Sequence, residues 1–477
     1  MKPNVLFLIS DQHNRQIAGF TGNRIISTPN LDRLASESMQ FENAYCQFPL
    51  CTPSRISMWT GLLPHRAGAW KNNLPIVNPT IPEHFAEHGY VTCGVGKMHI
   101  GGERPMNGFR IRPYGDLKPN RFCSHQPDPL QTARTQEWTS HKVGRFPFAG
   151  ESEIPEDQLQ ERIVTKESLA FIREHADQPW FVCASYSRPH HPLTAPPRFL
   201  ERHWPHGPQL HPWPKGFPDD LHPHDRFIVE DFGLARFSEA DRRRGLAAYY
   251  ASVSFLDDCI GELLAGLDDL LDNTIIIYTS DHGDMASEHG LWWKRSFYDG
   301  SAGVPLLIRV PGQAVSKRAD VVELLDLFPS LCHLCGLPTP DALDGETLFA
   351  GRTKDFARSQ LVERPETTFR MVRTPEWKYV EFPEYPPVLF DMANDPGEER
   401  NVAGLAEVNK VEADLHKQLW SDGESWESLF DRRNADLERA NRGLLHYEGV
   451  TPNQYALPDG TVVDAETELY SEYLKES

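Results

Sequence analysis

Asn4-Val5-Leu6-Phe7-Leu8-Ile9-Ser10-Asp11 decides the architecture. Its core, Val5–Ile9, is apolar on both faces of a strand, as a parallel sheet covered by helices on either side requires. Four further runs share this texture: Val91–Val95, Trp180–Tyr186, Thr274–Thr279 and Val304–Val310. Between them the pattern turns helical, over Pro29–Ser38 with Thr28 as N-cap, and over Ile81–His88, Glu161–His175 and Arg242–Leu267. Such alternation predicts an α/β fold, doubly wound, with a large mostly parallel sheet sandwiched by helices.

Working outward, two regions leave that rhythm. Nine prolines fall between Pro189 and Pro218, which predicts a long structured loop over residues 187–232 near one end of the sheet. Beyond about residue 355, Ser359–Glu363, Phe369–Arg373, Lys378–Glu381 and Val388–Asp391 read as short strands of an antiparallel sheet, followed by a helix near Leu405–Trp420. The expected organisation is a catalytic α/β domain over 1–355, a smaller C-terminal α+β subdomain over 356–440, and a polar tail over 441–477.

Composition narrows the function. The 477 residues are 39% hydrophobic, enough for a sizeable core, and carry 68 acidic against 48 basic side chains, a net charge of −20. Nucleic acid is repelled by that field, and the longest basic cluster, Arg242-Arg243-Arg244, reads as a solvated helix face. The apolar run after Met1-Lys2-Pro3-Asn4 is too short for a signal peptide, and no apolar stretch of ~18 residues occurs. No membrane association and a cytoplasmic location are therefore expected. The eight cysteines are scattered, and Cys332-x-x-Cys335, in the helix-like Val321–Leu334 region, reads as two buried thiols one helical turn apart.

The chemistry sits where the strands end. They deliver Ser10-Asp11-Gln12, Gly96-Lys97-Met98-His99, Arg188-Pro189-His190-His191-Pro192 and Ser280-Asp281-His282-Gly283-Asp284. In an open parallel sheet these carboxyl ends share one edge, where ligands bind. Asp11, Asp281 and His282 form a candidate divalent-metal shell; the competing reading has the aspartates cap the helices that follow. Cys51-Thr52-Pro53-Ser54-Arg55, with Pro53 in a first turn and Gly61 as terminator, reads as a short helix with Cys51 at its positive end. That position binds anions and lowers a thiol pKa. Cys51 is accordingly a candidate nucleophile toward a negatively charged tetrahedral group.

At this point the residues match a family. Cys51-x-Pro53-Ser54-Arg55 resembles the signature of the type I sulfatases, within the alkaline phosphatase superfamily. Asn4–Asp11 looks like that family's opening strand and first metal ligand, and Thr28–Ala35 like its first helix. Gly96-Lys97-Met98-His99 resembles its Gly-Lys-x-His motif, and Pro189-His190-His191-Pro192 its Pro-His-x-Pro turn. Asp281-His282-Gly283 through Lys294 to Val304-Pro305 resembles its second metal segment, and Leu389-Phe390-Asp391 with Asp395-Pro396-Gly397-Glu398 its C-terminal motif. Two departures, Gln12 and His282 where many members carry aspartate and asparagine, resemble the choline-sulfatase and phosphonate monoester hydrolase branch. They remove one negative charge and add a nitrogen ligand, so either Ca²⁺ or Mn²⁺ is admitted.

The resemblance implies that Cys51 is oxidised by a formylglycine-generating enzyme to formylglycine, hydrated to a geminal diol on a metal held by Asp11, Cys51, Asp281 and His282. One hydroxyl attacks sulfur or phosphorus; Arg55, Lys97 and Lys294 hold the diol and the oxyanion, with Asn72 (or its neighbour Asn73) as neutral donor. Asp281 assists removal of the attacking hydroxyl's proton, His190, alone or with Lys294 and with His191 as the alternative, protonates the leaving oxygen, and His99 takes the second diol proton so that the ester collapses and the aldehyde returns. His13 and Asp284 are placed close by, and Trp59, Trp292 and Trp293 either line the leaving-group pocket or belong to the core. The expected activity is hydrolysis of small aryl or alkyl sulfate monoesters. Phosphonate monoesters or phosphodiesters at the same site are the alternative, and a non-catalytic or unmodified-thiol protein the third reading. Tyr447 and Tyr455 are candidates for a quaternary-ammonium cage, and by resemblance the tail is an arm holding a homodimer or tetramer together.

Overall fold

Residues 2–101, 106–113, 115, 149–445, 454–456 and 462–464 are described in this computed structural model. Val5 to Ile9 are fully buried in β1 (Asn4–Asp11), as their apolarity on both faces demands. Leu6 and Leu8 enter one hydrophobic cluster while Val5, Phe7 and Ile9 enter another, so the sheet has a core on each side. The remaining main-sheet strands are β2 (Met39–Tyr45), β3 (Val91–Gly96), β5 (Trp180–Pro189), β7 (Thr274–Ser280), β8 (Gly303–Arg309) and β9 (Ser316–Glu323), ordered β3-β5-β1-β7-β8-β2-β9. Two-residue strands β4 (Gly150–Glu151) and β6 (Thr194–Ala195) form a separate parallel bridge.

The Val304–Val310 run forms β8, but it runs antiparallel to both β7 and β2. The cause is the path between β7 and β8. Residues 281–302 stay at the carboxyl edge of β7, without the helical crossover that a parallel return needs, so β8 must run back down. Strand β2 escaped the sequence reading because its register shifts near Phe41, which breaks the period of two across polar Glu42 and Asn43. The helix-like Val321–Leu334 stretch is in fact the end of β9 followed by the Leu327–Cys335 helix. Cys332 and Cys335 are free and buried there, and burial raises their thiols to about 12 and about 11.

Thr28 precedes the Pro29–Ser36 helix but its side chain does not cap it. Its hydroxyl instead accepts from the Gly19 amide and donates to Asp32. Asp257, from the 27-residue Glu239–Ala265 helix, accepts from the Asn30 and Leu31 amides at 3.2 and 2.7 Å. The two helices touch at Gly261, where an added Cβ would lie 2.3 Å from the Asn30 side chain. The proline-rich region also holds more regular structure than expected. Once the prolines thin out after Pro218, a helix runs over Pro223–Phe232, with Pro223 in its first turn.

Strands β10 (Ala357–Leu361), β11 (Phe369–Arg373), β12 (Trp377–Glu381) and β13 (Val388–Asp391) make the four-stranded antiparallel sheet, and a helix over Asn409–Leu419 follows. A 20-residue helix, Trp426–Leu445, was not anticipated from sequence. Its Trp426, Leu429, Phe430, Leu437 and Ala440 join the cluster around Trp70. Further on, β14 (Gln454–Ala456) pairs antiparallel with β15 (Val462–Asp464). Tyr447 lies outside the described residues, as does most of the tail expected to form an oligomer arm. Among the described residues no helix is long and apolar enough to cross a membrane.

Candidate active site

The Cys51–Thr60 helix begins at the cysteine and ends at Gly61, whose φ of 66° no β-carbon-bearing residue adopts easily. Every residue of this helix is buried. Its N-cap, Leu50, has no side chain that can accept, and Asn72 supplies the acceptor instead: its Oδ1 takes the Thr52 amide at 3.0 Å. The Thr52 hydroxyl accepts from the Asn73 amide at 3.1 Å and donates to the carbonyl of His99. Asn72 and His99 thus both meet the helix at its cysteine end.

Around the sulfur the strand ends converge. Lys294 Nζ lies 3.0 Å from Cys51 Sγ, His282 Nε2 3.2 Å, and Asp11 Oδ1 3.8 Å. Lys97 Nζ pairs with Asp11 Oδ2 at 2.8 Å, and His190 Nε2 lies 3.9 Å from Asp11 Oδ1. Arg55 spends its donors on the frame: Nε on Asp281 at 2.7 Å, Nη2 on Asp11 at 3.3 Å, and Nη1 on the Lys97 carbonyl and Ser185 hydroxyl. Arg55 therefore locks both aspartates rather than pointing at the sulfur.

Several residues sequence reasoning left aside complete the frame. Gln12, at φ 68°, accepts from Lys294 at 2.8 Å and donates to Asp284 at 2.6 Å. Asp284 in turn accepts from the Ala286 and Trp293 amides, shaping the loop that carries Lys294. Tyr249 donates to the Gln12 carbonyl at 2.6 Å. Gln12 and Asp284 follow the strand-end aspartates, which is the only trace of this in the sequence. His13 turns away to Tyr278 and the Ile17 carbonyl, and burial lowers it to about 4. Trp59 packs on Phe7 at 5.0 Å in one core, and Trp292 and Trp293 are buried in the other, Trp293 with its ring edge-on to His191.

The charges explain the protonation states. Burial alone would raise the Cys51 thiol, but Lys294, Lys97 and His282 outweigh it and hold it well below its ordinary value. Lys97, His190 and Lys294 likewise keep Asp11 ionised against burial and the neighbouring sulfur. Asp281, pressed by burial and by the charge on Asp11, is pushed up to about 6. Burial, then Lys294 and Lys97, drive His190 down to about 3.

Donor atoms of Asp11, Cys51, Asp281 and His282 all lie within 4.8 Å of one another, and all four residues are buried. The His282 ring is oriented by its Nδ1, which donates to the Gly283 carbonyl at 2.9 Å, so Nε2 turns its lone pair on the carboxylates 3.7 and 3.9 Å away. Acceptors facing acceptors in a buried site call for a cation between them. Despite burial, Asp281 and Cys51 favour a proton on His282, which would fill Nε2 in place of such a cation and answers the same pull. Two carboxylates, one imidazole and residue 51 thus suit a divalent ion.

A model of the Sulfatase family matches residues 3–337, and one described as N-sulphoglucosamine sulphohydrolase, C-terminal, matches residues 287–425. A choline-sulfatase of Rhizobium meliloti is 32% identical over 424 residues, covering 84% of this chain and 82% of that protein. Human iduronate 2-sulfatase is 32% identical over 387 residues, covering 71% and 70%. In fold, a phosphonate monoester hydrolase from Silicibacter pomeroyi superposes with a TM-score of 0.76 at 22% identity, over 97% of this chain and 99% of that one. On likeness of this extent, running through the same strand ends that gather around Cys51, the chain belongs to the sulfatase family.

Proposed function

We propose that this protein hydrolyses sulfate monoesters, with Cys51 converted to formylglycine as the nucleophilic residue. The observation that carries the reading is the convergence of Lys294, Lys97, Asp11, Asp281 and His282 on one buried cysteine at a helix N-terminus. A hydrated aldehyde at position 51 supplies one hydroxyl to attack sulfur and a second whose deprotonation expels sulfate and restores the aldehyde. A divalent ion, Ca²⁺ or Mn²⁺, held by Asp11, Asp281, His282 and residue 51 supplies Lewis acidity there.

The side chains divide the remaining work. Lys294 and Lys97 place positive charge where the sulfuryl oxygens gain negative charge, and because both are buried their charges act through a poorly screened medium. Arg55 holds the two carboxylates in register. His190 donates through Nδ1 to the His191 carbonyl at 2.7 Å, so in the neutral ring Nε2 keeps its lone pair, and it is at Nε2 that the ring takes up a proton from solvent as the anionic ester binds and passes it to the leaving oxygen. The Asn72 amide is oriented by the same logic: Oδ1 must face the Thr52 N–H, which leaves Nδ2 as donor to the oxyanion. His99 is the group that accepts the second hydroxyl proton.

Mass spectrometry of the peptide spanning Cys51, paired with turnover of an aryl sulfate, tests the proposal. An aldehyde that reacts with hydrazides, together with sulfate release, is expected; an alkylatable thiol in an active preparation would overturn it. Because Cys51 is 0% exposed, the generating enzyme must act on the chain before this site closes. The second reading, a phosphonate monoester or phosphodiester hydrolase, is favoured by Gln12 and His282, which soften the negative charge facing the ester. Comparing kcat/KM for a sulfate and a phosphonate ester with one leaving group separates the two. A dimer or tetramer is inferred from the resemblance of the tail, and light scattering tests it.

A further inference from the structure

The residues gathered at Cys51 are not equally shut off from water. Asp11, Cys51, Arg55, Asp281 and His282 are 0% exposed, whereas Lys97, His190 and Lys294 retain 5%, 6% and 8%. Next outward, Asn72, His99 and His191 are half-buried. Among the described residues, exposure around the sulfur thus rises from the metal-shell residues through Lys97, His190 and Lys294 to Asn72, His99 and His191.

One side of this outer layer is aromatic. His190 and Lys294 both interact with Cys51, and each has a ring as its sequence neighbour, His191 and Trp293. The His191 ring stacks on His190 with centroids 3.9 Å apart and meets Trp293 edge-on at 6.3 Å and 65°. Trp293 is fixed from behind by Phe232 at 5.0 Å and 83°, while its backbone amide is held by Asp284 at 3.0 Å. The two rings next to His190 and Lys294 are therefore pre-set by packed neighbours, His190 and the partly buried Phe232, and need little ordering when a ligand arrives.

We propose that His191 and Trp293 form a rigid wall for the organic half of the ester, making flat, π-bearing leaving groups the preferred class. This rests on the hydrolase reading above. A flat ring gains offset or edge contacts with such a wall that a puckered ring of equal size does not, a difference of roughly two- to tenfold in affinity. The specificity lies in the His191 side chain rather than its backbone, since the His190 proton is held by the His191 carbonyl.

The test is calorimetric binding of benzenesulfonate and cyclohexanesulfonate to the metal-loaded protein. They share one charged head, cannot be hydrolysed, and differ in ring flatness. The natural protein is expected to bind benzenesulfonate roughly fivefold more tightly. H191F should keep the preference and H191A should bring the two ligands within about twofold. Equal binding by the natural protein, no binding of either, or an undiminished preference in H191A would overturn the proposal. Turnover of sulfate esters is read separately, so a protein that hydrolyses them yet does not discriminate the sulfonates loses only the wall.

Discussion

Lys294 Nζ lies 3.0 Å from the Cys51 sulfur, and Gln12 sets its position from the far side. K294A should lower kcat by roughly 10²–10³-fold, as loss of one oxyanion donor does, with a much smaller effect on melting temperature. Steady-state kinetics beside thermal unfolding checks the split. Glu288 offers a test of a different kind. Burial, together with Glu398 and Asp299, pushes it up to about 8 although Asn14 donates to it. A carboxyl raised in the folded state binds its proton more tightly there than when unfolded. Stability from it is full below the unfolded value near 4.5 and is lost as pH rises toward 8. The E288Q variant should lose less stability than the natural protein between pH 5 and pH 8, by on the order of a few kcal/mol, in denaturant titrations at both pH values. At this scale the sequence disclosed identity better than orientation. The placing of Asp11, Lys97, Asp281 and His282 at one edge was legible because Asp11 ends a strand and the others come within two residues after one, and strand ends share an edge. Gln12 and His13 follow the same strand, yet one supports Lys294 and the other turns to Tyr278; only the backbone conformation at Gln12 separates them.

Among the elements, the Cys51–Thr60 helix was readable from Pro53 and Gly61 because both act locally. Its capping was not, since the acceptor arrives from Asn72, outside the element. The same holds for Thr28, which reads as an N-cap although Asp257 does that work across 225 or more residues of chain. Strand direction is equally silent: β8 has the composition of a parallel strand and runs antiparallel, because direction depends on the connection rather than on the residues. The Asn72 loop is anchored in turn by Trp70, whose indole is 0% exposed and donates to Asp436 of the Trp426–Leu445 helix at 2.8 Å. That chain of contacts predicts a coupling. W70F and D436A should each lower kcat several-fold, and their double variant should be no worse than the worse single one, because both delete one hydrogen bond. D436N, which can still accept from the indole, should keep most of the activity. Additive losses in the double-mutant cycle would separate the C-terminal helix from the site.

Across the whole molecule, the antiparallel sheet is tied to the main sheet through buried charge rather than through apolar packing alone. Lys378, on β12 and 0% exposed, pairs with Asp299 at 2.5 Å and with Glu398, and donates to the Phe297 carbonyl at 3.2 Å. Asp299 also pairs with Arg15 and accepts from Tyr45 of β2 at 2.8 Å, while its amide donates to Glu398 at 2.7 Å. Arg15 lies four residues beyond Asp11, and Asp299 five beyond Lys294, so the cluster grips both loops that enter the site. Fold class was legible because strand and helix periods are local, whereas this junction joins positions 15, 45, 299, 378 and 398 and no local pattern announces it. Removing only the cation leaves Asp299 and Glu398 buried with their charges less compensated, and losses of about 3–5 kcal/mol are typical when one partner of a buried pair is deleted. K378M should therefore lower unfolding stability by about that much in denaturant titrations. Adding E398Q, which removes one of the stranded charges, should return part of it. If K378M instead melts like the natural protein, the grip on the Asp11 and Lys294 loops comes from the surrounding Tyr45, Phe297 and Phe390 packing, and the ions are passengers in it.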